Sequence, residues 1–137
     1  MGDKVFLDSN LLIYAVSNEL EKKQAVQKLL LVNYEFVIST QVLNEFSNIC
    51  FKKNLLSLSD ITKASQGFCQ FFQVETIVPA TIFSAYSIRD RYGFSFYDAL
   101  IIATAKQSGC KILFSEDLQH NQLIDNVLKI ENPLLKN

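Results

Sequence analysis

The chain is 137 residues long, enough for a single domain over residues 1–137 with a sizeable core. Hydrophobic residues make up 49% and charged residues 20%, which excludes a disordered chain. Its 13 basic and 14 acidic side chains leave a net charge of −1, so any contact with nucleic acid must run through a local basic patch or through metal ions.

Val5-Phe6-Leu7 is a short apolar run of β-favouring residues and reads as a buried strand closed by Asp8. Leu11 to Ala15 reads as the first turns of a helix, which Asp8, Ser9 or Asn10 can cap. Glu19 to Val32 carries Leu20, Ala25, Val26, Leu29 and Leu30, a partly amphipathic helix. Phe36 to Ile38 is a second strand, and Ser39 or Thr40 can cap the helix after it. In that helix Val42, Leu43, Phe46, Ile49 and Cys50 recur at helical spacing, with Lys52-Lys53 at the end that favours cations and Asn54 as a stop. Ser57-x-x-Asp60 resembles a capping box and opens a helix with Ile61, Ala64, Phe68, Phe71 and Phe72.

Val74 to Val78 is a third strand, ended by Pro79. Ala80 to Tyr92 reads as helix with Gly93 just past its end. Ser95 to Ser108 is a helix that is apolar almost all round, hence buried, and Gly109 ends it. Cys110 to Phe114 is a fourth strand, Ser115 to Asp125 a loop with room for a short helix, and Val127 to Ile130 a fifth strand. Strands alternating with helices argue for a mainly parallel sheet covered on both faces.

Cys50, Cys69 and Cys110 are odd in number, widely spaced and set among apolar residues, so they read as buried reduced thiols of a cytosolic protein. No Cys/His grouping suggests zinc, and His120 stands in a polar stretch, where exposure is expected. Met1 to Lys4 leads straight into the first strand, so no secretory leader is expected, and Phe6 breaks the pattern for Gly2 myristoylation. Apolar runs such as Ala99 to Ala103 are too short to span a bilayer, and a soluble cytoplasmic protein is expected.

Four acids hold positions that core packing does not explain. Asp8 ends the first strand, Glu45 borders the apolar stripe of the helix after the second, and Asp98 lies in the first turn of the buried helix. Asp117 comes after the fourth strand, next to Glu116. Each has an ordinary reading by itself: a cap, a boundary glutamate, a capping box with Ser95, a solvated turn. Taken together they say more. If the first and fourth strands are neighbours where strand order reverses, Asp8 and Asp117 meet in the crevice at the strands' carboxyl ends. The helix entering the fourth strand runs back along the sheet and puts Asp98 at the same end. Clustered carboxylates need a counter-charge, and hard divalent cations such as Mg²⁺ or Mn²⁺ suit all-oxygen ligands.

These residues resemble the PIN-domain nucleases, especially the VapC toxins of toxin–antitoxin pairs. Leu7-Asp8-Ser9-Asn10 with Leu12, Tyr14 and Ala15 is similar to the family's opening motif, which usually has Thr where this chain has Ser9. Val42-Leu43-Asn44-Glu45, Tyr97-Asp98-Ala99-Leu100 and Phe114-Ser115-Glu116-Asp117-Leu118 resemble the segments carrying the second, third and fourth acids. Ile130-Glu131-Asn132-Pro133 resembles the closing strand and turn, while Asn121 stands where relatives often have Gly.

The resemblance implies a three-layer α/β/α fold with a five-stranded parallel sheet ordered 3-2-1-4-5. It also implies a metal-dependent endoribonuclease silenced by a cognate antitoxin, commonly a homodimer, acting on RNA such as tRNA or ribosomal RNA. Asp8, Asp98 and Asp117 are then the expected Mg²⁺ or Mn²⁺ ligands, Glu116 an auxiliary one, and Glu45 a residue that completes the shell or orients the attacking water. Ser115 and Asn10 either hold carboxylates or are turn residues, and Lys52, Lys53, Arg89 and Arg91 are phosphate contacts or solvated helix ends. Tyr14 and Tyr97 either stack near the site or pack. The alternative is a catalytically silent PIN-like module that binds RNA or protein. The helices between Thr40 and Gln73 are the expected dimer face, and Phe68, Phe71 and Phe72 either contribute to it or, as expected for most of these rings, fill the core beneath the helices.

Overall fold

A computed structural model describes residues 2–135, so Met1, Lys136 and Asn137 of the expected single domain lie outside the described residues. The chain opens with β1 (Lys4–Leu7), α1 (Ser9–Val16), α2 (Leu20–Leu30) and β2 (Glu35–Ser39). Next come the helices α3 (Thr40–Lys52) and α4 (Leu58–Phe71), then β3 (Gln73–Glu75). The helices α5 (Pro79–Tyr92) and α6 (Phe96–Gln107) lead into β4 (Ile112–Phe114), β5 (Leu123–Ile124) and β6 (Leu128–Glu131).

All six strands form one sheet in the order β3-β2-β1-β4-β6-β5. Every pairing is parallel except that of β5 with β6. Without β5 this is the expected order of five parallel strands. The extra strand is a correction to that expectation: two residues carry too little alternation to be read from sequence. Val5, Phe6 and Leu7 are consecutive and fully buried, which requires cover on both faces of β1.

Most boundaries are set by local chemistry. Ser39 Oγ accepts from the Val42 amide at 3.2 Å and Ser57 Oγ from the Asp60 amide at 3.1 Å, so both act as N-caps. Gly93 ends α5 at φ 79°, a left-handed conformation that a side chain resists. The third strand is displaced from the expected one. Pro79 starts α5 rather than ending a strand, and the Ile77 amide turns to Thr40 Oγ1 at 3.3 Å instead of a ladder partner.

The core takes up several of the phenylalanines. Phe46, Phe68, Phe72 and Phe36 contact one another in series, with centroids 5.1, 5.9 and 5.9 Å apart. Phe71, expected on the same face as its neighbours, is 80% exposed, because α4 turns it away. Cys50 and Cys110 are buried and burial pushes the Cys110 thiol up to about 12, whereas Cys69 is exposed, against expectation. His120 is exposed as expected. No helix among the described residues is long and apolar enough to cross a membrane.

Ser39 is fully buried and caps the helix that carries Glu45. Ser39→Ala should therefore lower unfolding free energy by about 1–2 kcal/mol in urea denaturation, the range for a lost N-cap.

Candidate active site at the carboxyl ends of the strands

Register builds the centre of the site. Leu7 pairs with Phe114, so the next residues, Asp8 and Ser115, meet just beyond the ladder. The Asp8 amide donates to the Phe114 carbonyl at 3.0 Å, and Ser115 Oγ donates to Asp8 Oδ2 at 2.8 Å. Asp8 Oδ1 accepts the Ser9 amide at 2.7 Å, which makes Asp8 the N-cap of α1. The ordinary cap reading and the site reading thus hold for one side chain.

Two other acids are tied to it through short polar residues. Ser9 Oγ donates to Glu45 Oε1 at 3.0 Å, and Gln41 Nε2 donates to Glu45 Oε2 at 3.1 Å. Asn10 Nδ2 donates to Asp117 Oδ2 at 3.1 Å, and the Asp117 amide donates to Ser115 Oγ at 3.3 Å. Burial, opposed by the Ser115 and Ser9 hydrogen bonds and reinforced by the charges of Glu45 and Asp117, raises Asp8 from 3.8 to about 6. The structure thus brings Asp8, Glu45 and Asp117 into electrostatic contact.

Asp98 lies in the first turn of α6, where its amide donates to Ser95 Oγ at 3.3 Å, as in the expected capping box. Its half-buried carboxylate accepts no hydrogen bond among the described residues. That turn is fastened to α3, because Gln41 Nε2 also donates to the Tyr97 carbonyl at 3.1 Å. Glu116, expected as an auxiliary ligand, is drawn elsewhere. It accepts from the Tyr14 hydroxyl and from Lys22 Nζ, the latter at 3.1 Å. Burial works to raise its carboxyl, but those two bonds and the Lys22 charge hold it below the usual range.

Among the expected phosphate contacts, Lys53 borders a cleft with Asn10 and Asp117, while Arg91 is committed to Asp125. Sequence reading missed Gln41 and Lys22. Gln41 stands four residues before Glu45, a spacing at which helical side chains meet, and that signal was available. Lys22 lies 94 residues from Glu116, and nothing local announces the pair.

No three His, Cys, Asp or Glu side chains among the described residues are grouped closely enough to hold a metal ion as they stand. The donor set nevertheless suits a hard cation. It is all oxygen, and among the described residues its buried central carboxylate has no positive partner and the buried Asn10 Oδ1 beside Asp117 has no donor. Neutral donors hold the carboxylates, and a cation would take them over from Ser9, Asn10 and Gln41.

The model of the PIN-domain family matches residues 5–124. The chain belongs to the PIN-domain family. No curated protein matches it. Among solved structures, this PIN domain is similar to a toxin–antitoxin complex from Klebsiella pneumoniae, with 20% identity, TM-score 0.69, and 94% of this chain and 97% of that one covered. It is also similar to the VapBC2 complex of Rickettsia felis bound to a promoter DNA fragment, with 18% identity, TM-score 0.68, and coverage of 94% and 99%. A third is VapC20 of Mycobacterium tuberculosis, a toxin that cleaves the sarcin–ricin loop, with 16% identity, TM-score 0.65, and coverage of 82% and 91%. At such identities the likeness is one of fold.

Asp8 titrates near 6 in the folded chain against an ordinary 3.8. Between those values the folded chain holds the extra proton, so stability falls as pH rises from about 4 to about 6, and the loss persists above. In chelator, Asp8→Asn should be more stable than wild type by roughly 1–3 kcal/mol at neutral pH, less what the lost second acceptor costs. The gain should vanish near pH 4. Urea titrations across that range check both limbs.

Proposed function

We propose that this PIN domain is a metal-dependent endoribonuclease, the toxin of a toxin–antitoxin pair, acting in the cytoplasm. The observation that carries the reading is Asp8: buried, at the switch point between β1 and β4, and crowded by Glu45 and Asp117. In this reading Asp8, Asp98 and Asp117 hold Mg²⁺ or Mn²⁺. Bound there, the ion would activate water and offset charge on the phosphate and leaving oxygen. Ser115 and the Ser9 amide fix the orientation of Asp8. Glu45, half-buried and held by neutral donors, orients the attacking water. Glu116, clamped by Tyr14 and Lys22, anchors the turn that carries Asp117.

The toxin reading draws on the neighbours, which include a toxin that cleaves the sarcin–ricin loop and complexes of toxin with antitoxin. It implies RNA as substrate and a cognate antitoxin as partner. It also implies a homodimer, for which the exposed Phe51, Leu58 and Phe71 of α3 and α4 supply an apolar face.

With Mn²⁺ the wild type should cut a mixed RNA pool and melt at a higher temperature than in chelator, because a ligand of the native state stabilises it. Asp8→Asn should lose cleavage and most of that shift. Glu45→Gln should stay within about 1 kcal/mol of wild-type stability yet cut far more slowly. A folded protein that Mn²⁺ does not stabilise and that cuts nothing would point to the silent binding module.

Light scattering at micromolar concentration should give twice the 15.6 kDa mass of one chain. Charged substitutions at Phe51, Leu58 and Phe71 should halve it; a dimer that survives them uses another face.

A further inference from the structure

A cleft of about 500 Å³ lies between two helices that both carry site residues. From α3 it is lined by Asn44, Glu45 and Asn48, and from α6 by Tyr97 and Leu100. With open space between them, close packing of side chains does not set the distance between the helices there. The core grips α6 from Ala99 onward, where every residue to Ala105 is buried. Asp98 stands just before that stretch, half-buried, next to an exposed Tyr97. Its carboxylate accepts no hydrogen bond among the described residues, so its place depends on the backbone of the first turn.

One side chain spans the gap. Gln41 Nε2 donates to Glu45 Oε2 and to the Tyr97 carbonyl, each at 3.1 Å. Among the described residues no other hydrogen bond joins α3 to α6. Its own anchorage is firm, since Gln41 lies between Ser39 and Val42, both fully buried, and is itself only 8% exposed. Stability does not account for this residue. Its Oε1 is buried and accepts no hydrogen bond among the described residues, which disfavours the fold. The Tyr97 carbonyl lies within α6, where helix geometry already gives a carbonyl its amide partner, and half-buried Glu45 is within reach of water. An apolar chain of the same length would fill the space without burying an unpaired acceptor. What the amide alone does is fasten the acid of α3 to the turn that carries the acid of α6.

We propose that Gln41 is a positioning residue for the metal-dependent reaction: its amide fixes the span between Glu45 and Asp98, so that Asp98 can share a cation with Asp8 and Asp117. This rests on the nuclease reading and deepens it, adding one neutral residue to the four acids. Gln41 acts through the two carboxylates it places and not on the reacting atoms. The fold is weaker for carrying it, as is common where a residue serves activity rather than stability.

Two variants of the full chain test this. Gln41→Met keeps the length but has no N–H, and Gln41→Asn keeps the amide but is one methylene too short to reach both acceptors. In EDTA, Gln41→Met should melt at or above the wild-type temperature. Calorimetric titration with Mn²⁺ alone should show affinity reduced by about tenfold in both variants, the lower end of what losing an orienting partner costs a metal site. At saturating Mn²⁺ both should cut RNA with a lower kcat and an unchanged KM, the pattern for lost orientation rather than lost binding. Wild-type Mn²⁺ affinity in either variant overturns the proposal, as does a raised KM with unchanged kcat. So does a Gln41→Met chain that melts well below wild type or fails to fold, which would make Gln41 a structural residue. Gln41-dependent Mn²⁺ binding without any RNA cleavage would sink the nuclease reading alone. Cleavage with Gln41-independent Mn²⁺ affinity would sink the positioning role alone. A wild type that takes up no Mn²⁺ would sink both.

Discussion

The pairing of Leu7 with Phe114 in the ladder between β1 and β4 sets the geometry on which the rest depends. One residue further along each strand, Asp8 and Ser115 face each other with the sheet's hydrogen bonds behind them and apolar cover on both sides. Slipping that register by one residue would turn Asp8 to the other face, and Val5 to Leu7, all fully buried, would have to be repacked. The position of the carboxylate is therefore enforced by the packing of the strand, and α1 begins from it because Asp8 also caps that helix.

Around this fixed point the chain treats its acids in two opposite ways. Asp8, Glu45 and Asp117 are held by serine, asparagine and glutamine donors, which fix direction without neutralising charge. Glu116, directly adjacent to Asp117, receives Lys22 and Tyr14, and its charge is balanced. Asp125 is held further still below the ordinary carboxylate range by hydrogen bonds from Arg91 and Lys106, with Tyr92 adding a third. Cations are thus available in the fold and are directed to the acids that anchor turns. The crevice keeps its repulsion, as expected where a counter-charge arrives from outside.

Much of this was legible in the sequence because local rules and global fold agree. The capping serines, Gly93 and the all-round apolar α6 read correctly since each is decided within a few residues. Asn121, where the resemblance leads one to expect Gly, adopts φ 69°, a left-handed backbone that asparagine tolerates better than most side chains. What failed was decided at longer range or in too few residues. Pro79 reads equally as the end of a strand or the start of a helix, and the Thr40 hydroxyl resolves it from 37 positions away. The two-residue β5 exists because β6 offers it an edge. The fate of Glu116 hangs on Lys22, and that of Phe71 on how α4 sits against the core.

The β5–β6 hairpin has a consequence for life in solution. Its turn, Asp125-Asn126, runs through two left-handed residues at φ 50° and 58°, and Asp125 bridges to Arg91 of α5 and Lys106 of α6. The hairpin is riveted to the helices and covers the flank of β6, so the sheet ends on one side in two residues and on the other in the three of β3. Neither border is long enough to template a strand from another molecule. In a chain that is 49% hydrophobic, that termination favours staying dispersed over stacking edge to edge into aggregates.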